Sequence, residues 1–256
     1  MFAIYRKELR SYFINPIGYV YLGVFLVFSA LLCCYTTIVS GSYDTAMYFT
    51  FLIVSFVILI PILTMRLFAE ERKLRTEQLL LTAPVTITGM VLGKYLAALT
   101  IFVSGVLVSC INFLPLYIIG NQERLGESAT LSHLGPITGE IVGSVIAVIL
   151  LGAALIAVGT LVSALTENQL SAAVITIGVI AVMILLNVFN MLTDSDGQPI
   201  IGSYIIRAVI DWVSVLSRFS AFSNGIFDFA ALLYYVSLAF IFLFLTVRVY
   251  EKRRWG

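Results

Sequence analysis

The sequence predicts an all-α membrane protein with six transmembrane helices in a single domain, 1–256. Three observations carry that reading. Hydrophobic residues make up 61% of the chain and charged residues 11%, against roughly 45–50% and about 25% in a soluble domain. Six charge-free apolar stretches, 17–39, 46–65, 96–119, 141–165, 171–192 and 229–247, approach or exceed the roughly 20 residues that a membrane helix needs. Alternating apolar and polar runs of the kind that build barrels are missing, so the spans are helical. The composition excludes other classes. One histidine, His133, cannot make a multi-histidine metal centre. Three cysteines, Cys33, Cys34 and Cys110, all in apolar runs, do not make a disulfide framework. Fifteen Lys and Arg against fourteen Asp and Glu leave no basic excess for nucleic acid.

Each element has a local reason. In 2–14, Phe2, Tyr5, Leu9 and Phe13 recur at helical spacing, while Arg6, Lys7 and Arg10 fall mostly off that face. This is the pattern of an amphipathic helix on the membrane surface; the alternative is a positive flank that only orients the first span. Asn15-Pro16 ends the helix. The first span is too long for a signal-peptide core and lacks a convincing small-residue cleavage site, so it is retained. Pro61 and Pro115 are expected to kink the second and third spans.

The loop 66–95 is the most informative polar segment. Its first part is expected to continue the second span as helix, because Ala, Leu, Glu, Arg and Lys favour that state. Thr76 is a candidate N-cap, with Glu77 placed for the helix dipole. Leu79, Leu80 and Leu81 give a short apolar edge and Pro84 limits the helix. So short a helix is marginal alone and needs the bundle or a partner protein to pack against. Gly89 to Tyr95 superficially suggests a phosphate loop, but glycine spacing and Tyr95 are wrong for one. Lys94 instead reads as a snorkelling anchor before the third span. The fourth span carries Gly143, Ala147, Gly152 and Gly159, small residues that let helices approach closely. Packing within the chain is favoured over a dimer seam. A tight turn holding Glu167 follows. In the segment 193–228, Ser203, Arg207, Asp211, Ser214 and Arg218 form one polar stripe over 199–218. Charges at a helix centre are costly to insert, so a re-entrant or interfacial helix is expected there.

Orientation follows from charge. The N-terminus, the loop 66–95, the turn 166–170 and the tail 248–256 hold twelve of the fifteen Lys and Arg residues. The other side holds eight of the fourteen acidic ones. The positive-inside rule then places both termini in the cytoplasm of a cell-membrane protein. With these boundaries no span interior holds Asp, Glu, Lys, Arg or His, which weighs against a proton- or ion-coupled carrier.

One stretch resembles a known family. Glu70-Glu71-Arg72-Lys73-Leu74-Arg75-Thr76-Glu77-Gln78-Leu79-Leu80-Leu81-Thr82-Ala83-Pro84-Val85, followed by Gly93-Lys94-Tyr95, is similar to the loop of type-2 ATP-binding cassette (ABC) transporter permeases. Members commonly show an acidic-basic run, then Gly-Thr, Leu-Leu, Pro-Val and Gly-Lys; here Arg75-Thr76 stands where Gly-Thr is usual. The topology resembles the family over the whole chain, with a type V-like fold. The compact length looks closest to the gliding-motility-type and nitrous-oxide-reductase-maturation-type permeases. The resemblance implies a non-enzymatic subunit of an exporter. Two permease chains, in a homo- or heterodimer among membrane lipids, would form the path. Separate cytoplasmic ATPases, holding ATP and Mg²⁺, would drive it, with no cofactor in this chain. The short loop helix would be the coupling helix. Glu70, Glu71, Arg72, Arg75, Thr76, Glu77, Leu79, Leu80 and Glu167 would form the ATPase contact, and Arg207, Asp211 and Arg218 would lie in the outer gate. The competing readings are a secondary carrier, a membrane scaffold and a lipid-modifying protein.

Overall fold

The computed structural model describes residues 1–41, 43–78, 85–126, 136–191, 203, 205, 207, 210 and 214–255. Among these residues every regular element is helical. Six helices are long and apolar enough to cross a membrane: Ile17–Val39, Ala46–Thr64, Ile87–Gly120, Thr138–Leu165, Gln169–Asn187 and Phe229–Arg254. The protein is therefore an all-α, multi-pass membrane protein, as its sequence predicts.

Helix α1, Phe2–Ile14, has the expected bounds. It stops where Asn15 turns extended ahead of Pro16. Its bundle-facing side is not the Phe2–Phe13 face. Ile4, Glu8 and Tyr12 turn inward, whereas Phe2 and Phe13 are exposed. The Tyr12 hydroxyl donates to the Leu63 carbonyl at 2.9 Å. Burial, helped by the neighbouring Glu8 carboxylate, pushes its pKa above the usual tyrosine value, so it stays a neutral donor.

Helix α2, Ile17–Cys33, continues as a π-helical turn over Cys34–Val39. There the Thr36 and Thr37 hydroxyls donate back to the carbonyls of Leu32 and Cys33, bonds that loosen a helical ladder. Helix α3 is Ala46–Thr64, with Pro61 inside its last turn. It does not run on into the loop. A turn intervenes before the short helix α4, Ala69–Lys73. The physical reason is competition: the Phe68 and Ala69 N–H groups donate to Ser163 Oγ of a neighbouring helix, at 3.1 and 3.2 Å.

Helix α5 is Ile87–Ser109, nine residues earlier than the expected start of the third span. Thr86 caps it, its hydroxyl accepting the Gly89 N–H at 3.3 Å. A 3₁₀ turn, Cys110–Phe113, separates α5 from α6, Leu114–Gly126. Pro115, which cannot donate to the carbonyl of Ile111, accounts for that break. Helix α7 is Thr138–Leu165 and α8 is Gln169–Met191. The short α9, Phe219–Ser223, precedes α10, Phe229–Trp255. Helix α10 runs through the basic tail instead of ending at 247, since Glu251, Lys252, Arg253 and Arg254 all favour helix.

Helix α7 is the central element, touching α3, α5, α8, α9 and α10. Three of its four glycines are spent within the chain, while Gly139 faces open space. A Cβ on Gly152 would run into the Phe102 ring, one on Gly159 into Thr64 Oγ1, and one on Gly143 would meet the Phe222 carbonyl at 2.8 Å. Phe102 is itself fully buried, edge-on to Phe25 and Phe56. Gly152→Ala is therefore expected to destabilise the protein by about 1–3 kcal/mol through overpacking, seen as a lower midpoint of thermal unfolding in detergent.

Candidate functional site

Both termini, the loop segment 66–78 and the turn after α7 gather at one end of the bundle, here the loop end. The loop is held there from four sides. The first grip is Lys94 on α5. The structure corrects its reading as a snorkelling anchor: it is 1% exposed. Its Nζ donates to the Leu67 carbonyl at 2.7 Å and lies 2.9 Å from Glu71 and 3.1 Å from Glu8. The ammonium also sits 5.2 Å from the centre of the Phe68 ring. Its three donors thus face three oxygens, from α4, the preceding turn and α1. A buried ammonium demands such pairing, because desolvation of a lone charge is costly. Lys7 approaches Glu71 at 3.7 Å and Glu8 at 3.8 Å, so the cluster holds two cations and two carboxylates.

The second grip is Ser163 on α7, which takes the Phe68 and Ala69 N–H groups and whose hydroxyl lies 3.3 Å from the Met65 carbonyl. Arg72 supplies the third. It donates to the Leu165 carbonyl at 3.2 Å and pairs with Glu167 at 3.2 Å and Glu77 at 3.7 Å. The fourth is α10: Arg253 pairs with Glu77 at 3.1 Å and donates to the Ala164 carbonyl at 2.7 Å. The Tyr250 ring packs on Phe68 at 4.8 Å. Arg66 and Glu70 form a forked pair at 2.7 and 2.9 Å.

Arg75 shows why the family resemblance sets a glycine at this position. Its φ is +56°, in the left-handed region. It follows α4 and its capping residue Leu74 in a Schellman closure: Thr76 N–H donates to the Glu71 carbonyl at 2.9 Å and Arg75 N–H to the Arg72 carbonyl at 3.1 Å. The Thr76 hydroxyl also faces back, donating to the Glu71 carbonyl at 3.3 Å. Thr76 thus closes the helix behind it and also stands directly before the helical residues Glu77 and Gln78, at the expected N-cap position, while Glu77 serves Arg72 and Arg253. Arg75→Gly is expected to raise stability by about 0.5–1 kcal/mol, since glycine adopts this φ without a Cβ penalty. Thermal unfolding checks this as well.

Of the sequence-expected contact residues, Glu70, Glu71, Arg72, Glu77 and Glu167 are brought into this one patch. Arg75 and Thr76 form its exposed rim. Leu79 and Leu80 lie outside the described residues. Sequence reasoning missed Glu8, Lys94, Ser163 and Arg253. The available signals were a lone acid in a basic helix and a lone lysine beyond the Thr86 cap. The surface-helix residues diverge: Tyr5 turns in, its hydroxyl 3.1 Å from Thr100 Oγ1, whereas Arg6, Lys7 and Arg10 stay exposed. In the segment 193–228, the Arg207 N–H donates to the Ser203 carbonyl at 3.1 Å in a helical bond. The Arg218 guanidinium stacks 3.9 Å from the centre of the Tyr234 ring. Asp211 lies outside the described residues.

Residues 17–135 match the family model described as ABC-2 family transporter protein. The match covers just under half of the chain, from the first span through the loop and the third span. It supports an ABC transporter permease, a transport component of the membrane. No curated protein matches the chain.

Proposed function

We propose that the chain is the permease subunit of an ABC exporter. Two permease chains enclose the substrate path, both termini face the cytoplasm, and separate ATPases carrying ATP and Mg²⁺ drive the cycle. The observation that supports this most is the fourfold grip on the loop. A force applied at 66–78 passes into α1 through Glu8, into α5 through Lys94, into α7 and α8 through Ser163, Leu165 and Glu167, and into α10 through Arg253. A loop meant only to join two spans needs none of these ties. The exposed Lys73, Leu74 and Arg75, with Leu79 and Leu80 beyond them, form the ATPase contact. The region of Arg207, Asp211 and Arg218 acts as the outer gate.

A secondary carrier is the competing reading, because Lys94 places an ionisable group inside the helix of the third span. That ammonium is closed off by its three oxygen partners, which suits a structural pin better than an ion relay. The test is co-purification of the tagged chain with the ABC ATPase expressed beside it, with and without ATP. A stable complex whose hydrolysis responds to the permease supports the proposal. A chain that transports alone, in proteoliposomes without ATPase, contradicts it.

A further inference from the structure

The outward side of α1 has a composition that the coupling role leaves unused. Glu8, its one acidic residue, turns inward to Lys94. What remains outside is Arg6, Lys7 and Arg10 together with Phe2, Phe13 and Ile14, bordering an open concavity of about 1060 Å³. Among the described residues Arg6 and Arg10 make no ion pair or hydrogen bond. They stand four residues apart on one helix, so their guanidinium groups share a face. Phe2 is 75% exposed and Ile14 69%. Tyr19 and Val20, at the start of α2, continue the exposed apolar surface into the span, at 62% and 60%.

We infer that this face holds an anionic phospholipid of the leaflet at the loop end. Its phosphate lies between Arg6 and Arg10, and its chains run along Phe13, Ile14 and Tyr19. Charge and position select this occupant. The polar part of the groove is cationic, and its apolar part merges with the lipid-facing wall of a membrane span, which a water-soluble protein does not reach. Basic residues beside an amphipathic helix attract acidic lipids in this way. The site is independent of the ATPase contact, because neither arginine enters the ion pairs around Lys94.

The test is binding of fluorescent phosphatidylglycerol to the full-length protein in neutral detergent, with fluorescent phosphatidylcholine as the zwitterionic control. Phosphatidylglycerol is expected to bind more tightly. The double variant Arg6→Gln, Arg10→Gln is expected to weaken it about 30-fold, at roughly fivefold for each cation. Arg6→Lys with Arg10→Lys keeps most of the binding, and so does Lys252→Gln with Arg254→Gln at the tail. Four results would overturn the proposal. They are equal binding of the two lipids, unchanged binding in the glutamine variant, displacement by inorganic phosphate, which assigns the face to a soluble anion, and loss of self-association in that variant with lipid preference intact, which assigns it to a second copy. Matched unfolding midpoints of the lysine and glutamine variants separate loss of the site from loss of the fold.

Discussion

Lys94→Met is expected to cost the protein about 3 kcal/mol of stability and to release α1 from the bundle. Methionine fills nearly the same volume, so the loss is electrostatic and not a cavity. Without the ammonium, Glu8 and Glu71 face each other across a site with no cation at its centre, and the Leu67 carbonyl loses its donor. Breaking a buried pair by removing one partner costs about 3–5 kcal/mol. The lower figure applies because the two carboxylates keep 13% and 17% exposure and can draw in water or Lys7. Lys94→Arg keeps the charge and should lose much less. Thermal unfolding in detergent measures the stability, and limited proteolysis near Asn15 reports the release of α1. A wild-type melting point and cleavage rate in Lys94→Met contradict the pinning role.

Leu80→Asp is expected to abolish ATPase association while leaving membrane insertion intact. A central apolar anchor in a partner pocket commonly contributes about 2–4 kcal/mol, which is roughly 30- to 700-fold in affinity. Charges at the rim mainly steer docking. Lys73 and Arg75 are exposed, so their glutamine variants should give small, salt-sensitive losses. Glu71 and Arg72 behave differently from exposed steering charges. Glu71 is tied to Lys94, and Arg72 to Leu165 and Glu167. Their variants weaken the scaffold that presents the loop as well as any contact with the partner.

Much of the fold was legible because its signals are local. Apolar length locates the spans, and the helical spacing ending at Asn15-Pro16 fixes the limits of α1. Small residues in α7 point to close packing within the chain, and Phe102, Thr64 and Phe222 supply the neighbours of Gly152, Gly159 and Gly143. What escaped is what distance in the chain hides. Arg253 meets Glu77 across 176 positions and Lys94 meets Glu8 across 86; no spacing in one sequence reveals such pairs. The end of α3 escaped for the same reason. Helix propensity alone extends it, and Ser163, 95 positions from Phe68 and 94 from Ala69, takes the N–H groups that would have continued it. The early start of α5 is a different kind of miss. Hydropathy keeps the Lys94 charge outside the span, whereas partners from α1 and α4 let it enter.

Under the proposed function, the loop is where an ATPase attaches. Site-specific photo-crosslinking from Leu80, in cells that hold the full-length chain and a co-expressed ABC ATPase, reads that contact. The expected result is an adduct at Leu80 that mass spectrometry identifies as that ATPase, and no such adduct from Ile119 at the far end of the third span. No ATPase adduct from any position between Lys73 and Val85, in protein that is folded and membrane-inserted, would contradict it.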